Sequence, residues 1–205
     1  MVCIFPKDES TDFLLPLYER ICSLGFKGIH VDTNEELKSV VEAISKAHFI
    51  VFLGHGTSFS LMGTPVNGKK TSIIDKSNID LLKGKKLFLL SCRSAEFCES
   101  FQLSPSIGFG MMPTGLDDVY SMIDDDADFP ALRQPDIDVY NECLISALST
   151  AFRISNINDI EELCNKVRLC VNYEIAHCLI ERKAAMFREV ADLLQDLKND
   201  CRFLK

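Results

Sequence analysis

The chain has 205 residues, is 47% apolar and carries a net charge of −8, which fits one α/β domain with a substantial core. The acidic balance disfavours nucleic-acid binding, and no apolar run approaches the ~18 residues that a membrane span requires. Residues 1–6 are too short for a secretory signal and soon meet charged residues, so we expect a cytoplasmic protein.

The first half of the chain alternates between strand and helix patterns. Strands are predicted over residues 2–5, 27–31, 49–53, 87–90 and 106–110, and helices from about Thr11 to Gly25 and after an Asn34 cap. Between the third and fourth strands, Asn67-Gly68 predicts a hairpin with arms over 60–66 and 70–74, and a short helix follows from Ser77 or Asn78 to Leu82. The alternation predicts a parallel sheet with right-handed crossovers.

The last 70 residues contain neither glycine nor proline, so they are predicted to be mostly helical. One helix is expected over 139–152, and Asn158 with Glu161 resembles a capping box at the start of another. The apolar stripes behind it fit either a helical hairpin or one continuous helix. A single helix of about 45 residues would reach about 67 Å and offer its outer stripe to a regulatory protein partner or to a second copy in a dimer. The alternative is that these apolar stripes simply pack in the core.

Nine cysteines, an odd number, favour a reduced compartment without a disulfide framework. Most fall on predicted apolar faces, where a free thiol packs as a small hydrophobe. Four candidate zinc ligands crowd one predicted helical segment but include no CxxC pair; they are Cys164, Cys170, His177 and Cys178. Core packing is the better reading of these residues, and we predict no metal and no cofactor.

His55 and Cys92 form the most informative pair. Each follows the end of a continuous apolar run that is typical of a strand buried on both faces. Because parallel sheets bind ligands outside the carboxyl ends of their strands, neighbouring strands would bring an imidazole and a thiol to one edge. A cysteine nucleophile needs a base that is close in space, not in sequence.

These residues resemble a known family. Leu53-Gly54-His55-Gly56 after one strand, and Leu89-Leu90-Ser91-Cys92 closing the next, are similar to the motifs of the caspase-like (clan CD) cysteine peptidases, and among them to the CHAT-type proteases of bacteria. The resemblance covers about residues 45–110. It implies a caspase-like three-layer α/β sandwich, with residues 1–135 as the core and residues 136–205 as a helical portion packed on or extending from it.

The same resemblance implies roles for the matched residues. Cys92 is the expected nucleophile, His55 is its partner imidazole, and the backbone N–H groups of Gly56 and Cys92 are the expected oxyanion donors. The implied activity is cleavage of a protein substrate, in a regulated effector of bacterial stress or phage-defence signalling. One departure from the family pattern is Arg93-Ser94-Ala95-Glu96, where a small residue and glycine usually follow the cysteine.

An acidic stretch follows the fifth predicted strand, with eight aspartates and one arginine between Asp117 and Asp138. Asp117 and Asp118 are candidates for binding a lysine or arginine side chain of the substrate by charge pairing. The alternatives are a solvated loop and an inhibitory flap over the site.

Two other functions stay open. The chain is either a caspase-like interaction module that has lost turnover, or a small-ligand-binding α/β domain that uses the Gly54-His55-Gly56 loop. The second is disfavoured because the chain has neither a GxGxxG fingerprint nor a P-loop.

Overall fold

A six-stranded sheet forms the centre of the computed structural model, which describes residues 1–31, 37–65, 71–116, 118–119 and 132–205. The strands are β1 (Val2–Pro6), β2 (Lys27–Val31), β3 (Phe49–Leu53), the separate hairpin strands β4 (Leu61–Met62) and β5 (Ser72–Ile74), β6 (Lys86–Leu90), β7 (Ser106–Gly108) and β8 (Arg202–Leu204). The order across the sheet is β2-β1-β3-β6-β7-β8, and β8 alone runs antiparallel to its neighbour. The predicted α/β class with a mostly parallel sheet is confirmed.

Helices cover both faces of this sheet. They are α1 (Leu15–Ser23), α2 (Leu37–Lys46), α3 (Ser94–Ser100), α4 (Gln134–Ile154), α5 (Ile160–Glu181) and α6 (Phe187–Asp200), with 3-10 turns at Glu9–Leu14 and Ile79–Leu81. One buried cluster joins the sheet to α1, α4, α5 and α6, and a second joins its other face to α2 and α3. The molecule is therefore built in three layers.

Strand β3 shows why the central strands are continuous apolar runs. Val51 and Leu53 belong to the cluster under the C-terminal helices, whereas Ile50 and Phe52 belong to the cluster under α2 and α3. Successive side chains of a strand point to opposite faces. Because both faces are covered by helices, every residue of the strand is apolar and buried.

The first predicted helix starts later than expected. A 3-10 turn occupies Glu9–Leu14, and the α-helix begins only at Leu15. Pro16 explains the delay, because proline is tolerated in the first turn of an α-helix but not further inside. Gly25 ends the helical segment as predicted, with a φ of 92° that favours glycine.

Several other boundaries in the first half differ from the prediction. The hairpin pairing is confirmed, although its arms are shorter than 60–66 and 70–74. The short helix predicted to end at Leu82 is a 3-10 turn over Ile79–Leu81. The predicted Asn34 cap and the Asn67-Gly68 turn lie outside the described residues.

The predicted fifth strand is shorter than 106–110 and ends at Gly108. The next two residues, Phe109 and Gly110, form hydrogen bonds with residues at the start of α3 instead of with a neighbouring strand. The backbone N–H of Phe109 donates to Ser94 Oγ at 2.9 Å, and the carbonyl of Gly110 accepts from the Arg93 N–H at 2.8 Å. The strand ends here because its backbone anchors the turn that follows β6.

The helical C-terminal part is confirmed, with two corrected starts. Helix α4 begins at Gln134 rather than at residue 139, because the buried Asp136 carboxylate accepts the Arg133 N–H at 3.0 Å and caps the first turn. Helix α5 is capped by Asp159, whose side chain accepts the Glu162 N–H at 2.9 Å. The predicted Asn158–Glu161 capping box is therefore wrong by one residue.

Helices α5 and α6 form a hairpin, so the continuous 67-Å helix does not exist. Arg182 ends α5 in the left-handed conformation, with a φ of 52°, and its N–H donates to the Cys178 carbonyl. Glycine usually fills this position, and its absence concealed the break. The apolar stripe of α6, which a continuous helix would have exposed, is instead buried in the core.

Strand β8 was not predicted. After α6, Arg202–Leu204 pairs antiparallel with β7 and makes the helical part contribute an edge strand to the central sheet. Three residues are too few to show a strand pattern in sequence. The pairing depends on where α6 delivers the chain.

A stability prediction follows from the contact between the sheet and α4. Phe152 is buried and packs edge-on against Phe88 of β6, with ring centroids 4.9 Å apart. We expect Phe152→Ala to lower the free energy of unfolding by about 3–5 kcal/mol, because it leaves a cavity between two layers. Phe152→Leu is the control and should cost clearly less in chemical denaturation. Equal effects of the two substitutions would contradict this packing account.

Candidate active site

Strands β3 and β6 are adjacent and bring His55 and Cys92 to the same edge of the sheet. In the parallel register Leu53 pairs with Leu90, and each candidate residue lies two positions beyond its paired leucine. The Gly54 N–H extends the pairing by donating to the Leu90 carbonyl at 3.1 Å. Neighbouring strands are about 4.8 Å apart, so the two loops leave the sheet side by side. The predicted common edge is confirmed.

The loop that carries His55 contacts the loop that carries Cys92, and the contact is made at Gly56. A Cβ added to Gly56 would lie 2.5 Å from Ser91 Oγ and 3.2 Å from the Cys92 carbonyl oxygen. Gly54 has a φ of +155°, which L side chains rarely adopt. Both glycines around His55 are therefore required by the fold, one for its backbone angle and one for the close approach.

The imidazole of His55 is positioned by contacts with the segment that follows β1. Its Nε2 lies 2.7 Å from Ser10 Oγ and 3.3 Å from Asp8 Oδ2. The Ser10 hydroxyl donates its one hydrogen to Asp8 Oδ1 at 2.7 Å. It must then accept from the ring, so Nε2 carries the hydrogen. In the neutral ring this leaves Nδ1 as the nitrogen with a basic lone pair.

Asp8 and Ser10 were missed by the sequence reasoning. A signal was present, because Asp8 comes two residues after the end of a buried strand and fits a cap, accepting the Ser10 N–H at 3.0 Å. Its proximity to His55 depends on β1 lying next to β3, which the order along the chain does not reveal. The carboxylate stabilises a positive charge on the imidazole.

Cys92 lies in a tight turn between β6 and α3. Arg93 has a left-handed φ of 57°, a conformation that is uncommon outside glycine and is found at functional sites. The turn is held by Ser94, which is buried and donates through Oγ to the Leu89 carbonyl at 2.6 Å. Cys92 Sγ is partly exposed and donates to the Met112 carbonyl at 3.2 Å.

After Cys92, where this chain departs from the family pattern, Arg93 and Glu96 form an ion pair. The Arg93 guanidinium pairs with the Glu96 carboxylate, with Nε to Oε2 at 3.0 Å. Both side chains are about half exposed. The two charges therefore neutralise each other at the surface.

The Gly56 N–H, one of the two expected oxyanion donors, takes no part in the neighbouring bridge to Leu61. Thr57 donates to the Ser60 carbonyl and Met62 to the His55 carbonyl, each at 2.9 Å. These bonds flank the bridge between Gly56 and Leu61 and leave the Gly56 N–H outside it. Since the Gly56 backbone lies against Cys92, the two segments expected to supply the donors are in contact.

An open cleft of about 520 Å³ adjoins His55. Its lining residues are Ser10, His55, Thr114, Gly115, Leu116, Asp118 and Gln134. Asp118 Oδ2 accepts from both the N–H and the hydroxyl of Thr114, at 2.9 and 2.6 Å. The carboxylate of Asp118 is thus part of the cleft wall, whereas Asp117 lies outside the described residues.

Other parts of the acidic stretch have different positions. Residues 120–131 lie outside the described part of the chain. Asp136 is buried, and its Oδ1 accepts the Met186 N–H at 3.0 Å, so it ties α4 to the start of α6. Asp138 is exposed on α4 and accepts from Gln134 Nε2 at 2.8 Å.

All nine cysteines are free thiols, and only Cys22 and Cys92 are partly exposed. A hydrogen bond with Cys3 lowers the pKa of Cys22 to about 7. Burial raises the pKa of Cys98 to about 11, as expected for a thiol that packs in the core. Cys164 lies 3.8 Å from Cys201, sulfur to sulfur. Within the described residues, no cluster of histidine, cysteine and acidic side chains could hold a metal ion.

These thiols lead to a labelling prediction. At pH 7 we expect iodoacetamide to modify Cys22 and Cys92 well before the seven buried thiols. The rate at Cys22 should fall below its pKa of about 7, as the thiolate is protonated, and Cys3→Ala should move its profile up toward 9. Peptide mapping by mass spectrometry measures each site. Equal labelling of buried and exposed thiols would contradict the burial pattern.

Comparison with known proteins adds no family. No protein-family model matches this chain, and no curated protein matches it. Among the described helices, none is long and apolar enough to cross a membrane.

Proposed function

We propose that this protein is a cytoplasmic cysteine endopeptidase that cleaves a protein substrate with Cys92 as nucleophile and His55 as its acid–base partner. One observation carries the proposal: the paired residues Leu53 and Leu90 start two adjacent loops that present an imidazole and a thiol at the same register. Support also comes from Asp8 and Ser10, which orient the ring through Nε2. Nucleophile, base and orienting group are the parts that such catalysis needs.

The chemistry follows from these positions. His55 Nδ1 takes the thiol proton, and the Cys92 sulfur forms a bond with the scissile carbonyl carbon. The N–H groups of Gly56 and Cys92 stabilise the oxyanion, a contribution whose loss typically costs about 10²–10³-fold in rate. The imidazolium then protonates the leaving amine as the carbon–nitrogen bond breaks, and water hydrolyses the acyl-enzyme. Asp8 stabilises the imidazolium throughout.

The proposed fold is a caspase-like sandwich. Five parallel strands, an antiparallel edge strand and helices on both faces support it. The hairpin β4–β5 between the histidine and cysteine strands agrees with the hairpin-bearing insertion of the CHAT-type pattern. A role in stress or phage-defence signalling, under the control of a partner, is proposed from the sequence resemblance alone.

Asp118 supports a substrate preference. Among the described residues that line the cleft beside His55, which we name the active-site cleft, Asp118 is the one with a formal negative charge, and none is lysine or arginine. We predict that the enzyme cleaves after arginine or lysine and that Asp118→Asn lowers kcat/KM for such peptides about tenfold or more, as expected for a lost charge-assisted contact. Peptides with leucine at that position should be nearly unaffected. An equal loss for both peptides would contradict a charge-selective role.

The function is tested by comparing new protein N-termini in cells that express the wild type or Cys92→Ala. The expected result is a set of cleavages present only with the wild type, after a common residue type. The same purified proteins are then incubated with a randomised peptide library. No cleavage in either experiment, under conditions where Cys92 reacts with iodoacetamide, would reject the peptidase.

One observation favours the alternative of a caspase-like interaction module. The Cys92 thiol donates to the Met112 carbonyl at 3.2 Å, so a backbone acceptor engages its hydrogen. A module without turnover would keep this contact, and Cys92 alkylation would not depend on His55. In the peptidase, His55→Ala slows that alkylation while Cys22 serves as an internal reference.

A further inference from the structure

A second cleft, of about 460 Å³, lies beside the active-site cleft and takes no part in the proposed chemistry. It is formed between the segment that enters α1 and the outer face of α4. Phe13, Pro16 and Ile145 supply its apolar walls, and Asp138, Asn141 and Glu142 supply its polar groups. A pocket with an apolar wall and a few convergent polar groups is the usual form of a binding site.

The charge of this second cleft is one-sided. Asp138 and Glu142 are exposed carboxylates four residues apart on α4, a spacing that brings side chains onto the same helix face about 6 Å apart. No lysine or arginine is among its lining residues in the described part of the chain. A cationic group is the complementary occupant.

Asn141 adds a buried amide to the wall of this cleft. It lines the cleft and is only 7% exposed, yet its Oδ1 has no hydrogen-bond partner among the described residues. Buried polar groups in native proteins nearly always have a partner. The Oδ1 atom itself is closed off from solvent, so the side chain presents an acceptor to the cleft only after a half-turn of the amide, which exchanges its oxygen and nitrogen.

We propose that this second cleft binds an arginine side chain of a segment of another protein. A guanidinium carries five donors in one plane, which suits two carboxylates and an amide oxygen. Its aliphatic stem fits the apolar wall, which includes the aromatic ring of Phe13, a residue type that binds cations. Lysine, with a compact ammonium, uses fewer of these acceptors at once.

The two clefts share their walls. Ser10 and Phe13 belong to the same 3-10 turn and line the active-site cleft and the second cleft respectively. Gln134 lines the first and donates to Asp138, which lines the second. The second cleft would therefore hold a part of the protein substrate away from the cut; this exosite role rests on the proposed function, whereas the binding itself does not.

Binding is tested on the full chain carrying Cys92→Ala, so that the probe cannot be cleaved. The probe is N-acetyl-arginine methylamide, and the comparison is the citrulline analogue, which has the same shape without the charge. Chemical shifts of the Asn141 side-chain amide and the Ile145 backbone amide report this cleft, and those of Ser10 and Gly115 report the active-site cleft. We expect saturable shifts at Asn141 and Ile145, with citrulline binding at least about tenfold more weakly.

A charge-removing pair of substitutions, Asp138→Asn with Glu142→Gln, should abolish the preference for arginine over citrulline. The matched control is Asp192→Asn, an exposed carboxylate on α6 that lines neither cleft. Equal binding of the two probes, or shifts confined to Ser10 and Gly115, would overturn the proposal even if the double variant failed to fold. If arginine binds at Asn141 but no proteolysis is found, the binding proposal holds and the exosite role falls with the peptidase.

Discussion

Replacing Cys92 with serine is expected to lower kcat/KM on a cleaved peptide by at least about 10³-fold, with little change in the unfolding midpoint. The substitution keeps the size of the side chain and its contact with the Met112 carbonyl. The hydroxyl is a far weaker nucleophile near neutral pH than a thiolate, and it lacks the ready proton transfer of a Cys–His pair. Removing the nucleophile of such an enzyme typically abolishes most of its rate enhancement.

The measurement is steady-state cleavage of a peptide found in the N-terminus comparison, with Cys22→Ser as the matched control. Cys22 is also partly exposed and has a lowered pKa, but it lies at the end of α1 outside the active-site cleft. His55→Ala should reduce activity to a similar level, and the double variant should be no worse, because the two side chains act as one unit. Full activity of Cys92→Ser would remove the nucleophile from the proposal.

Asp8→Asn is expected to lower kcat by about 10²–10⁴-fold while leaving KM nearly unchanged, as with the orienting acid of other nucleophile–histidine pairs. The carboxylate accepts the Ser10 hydroxyl and lies 3.3 Å from His55 Nε2. An amide keeps the shape and the cap but can offer a hydrogen where the ring needs an acceptor. The wrong tautomer of the imidazole then faces Cys92, and the imidazolium loses its counter-charge.

The control for this effect is Asp12→Asn in the same 3-10 turn, where the side chain is exposed. It should leave kcat unchanged. A second readout is the rate of Cys92 alkylation, which should fall in Asp8→Asn and not in Asp12→Asn. If the two variants have the same kcat, Asp8 is a capping residue and nothing more.

The buried strands could be predicted because burial requires a continuous run of apolar residues, which is visible in the local sequence. Residues 49–53 were predicted with the bounds that the structure has, since a strand covered on both faces must be apolar throughout. Residues 27–31 also have the predicted bounds, although most of this edge strand is exposed. The positions of His55 and Cys92 at strand ends were readable for the same reason. Turn residues such as Gly25 also carry their conformation in the residue type.

Other features had no local trace, because they arise where distant segments meet. The strand order places β1 beside β3, and only that adjacency brings Asp8 to His55. Strand β8 exists because α6 delivers three residues to the open edge of β7. Arg182 ends α5 in a conformation that its residue type does not suggest.

The sequence was sufficient for the α/β class and for the placement of His55 and Cys92 at strand ends, since hydrophobic periodicity and strand ends are short-range properties of the chain. Only the tertiary structure determined the surroundings of those side chains. It placed Asp8 and Ser10 against His55 and the Met112 carbonyl against Cys92, and it formed the two clefts along α4. These depend on register and layer contacts between distant residues, such as Phe13 and Ser146 of the second cleft, which no local pattern encodes.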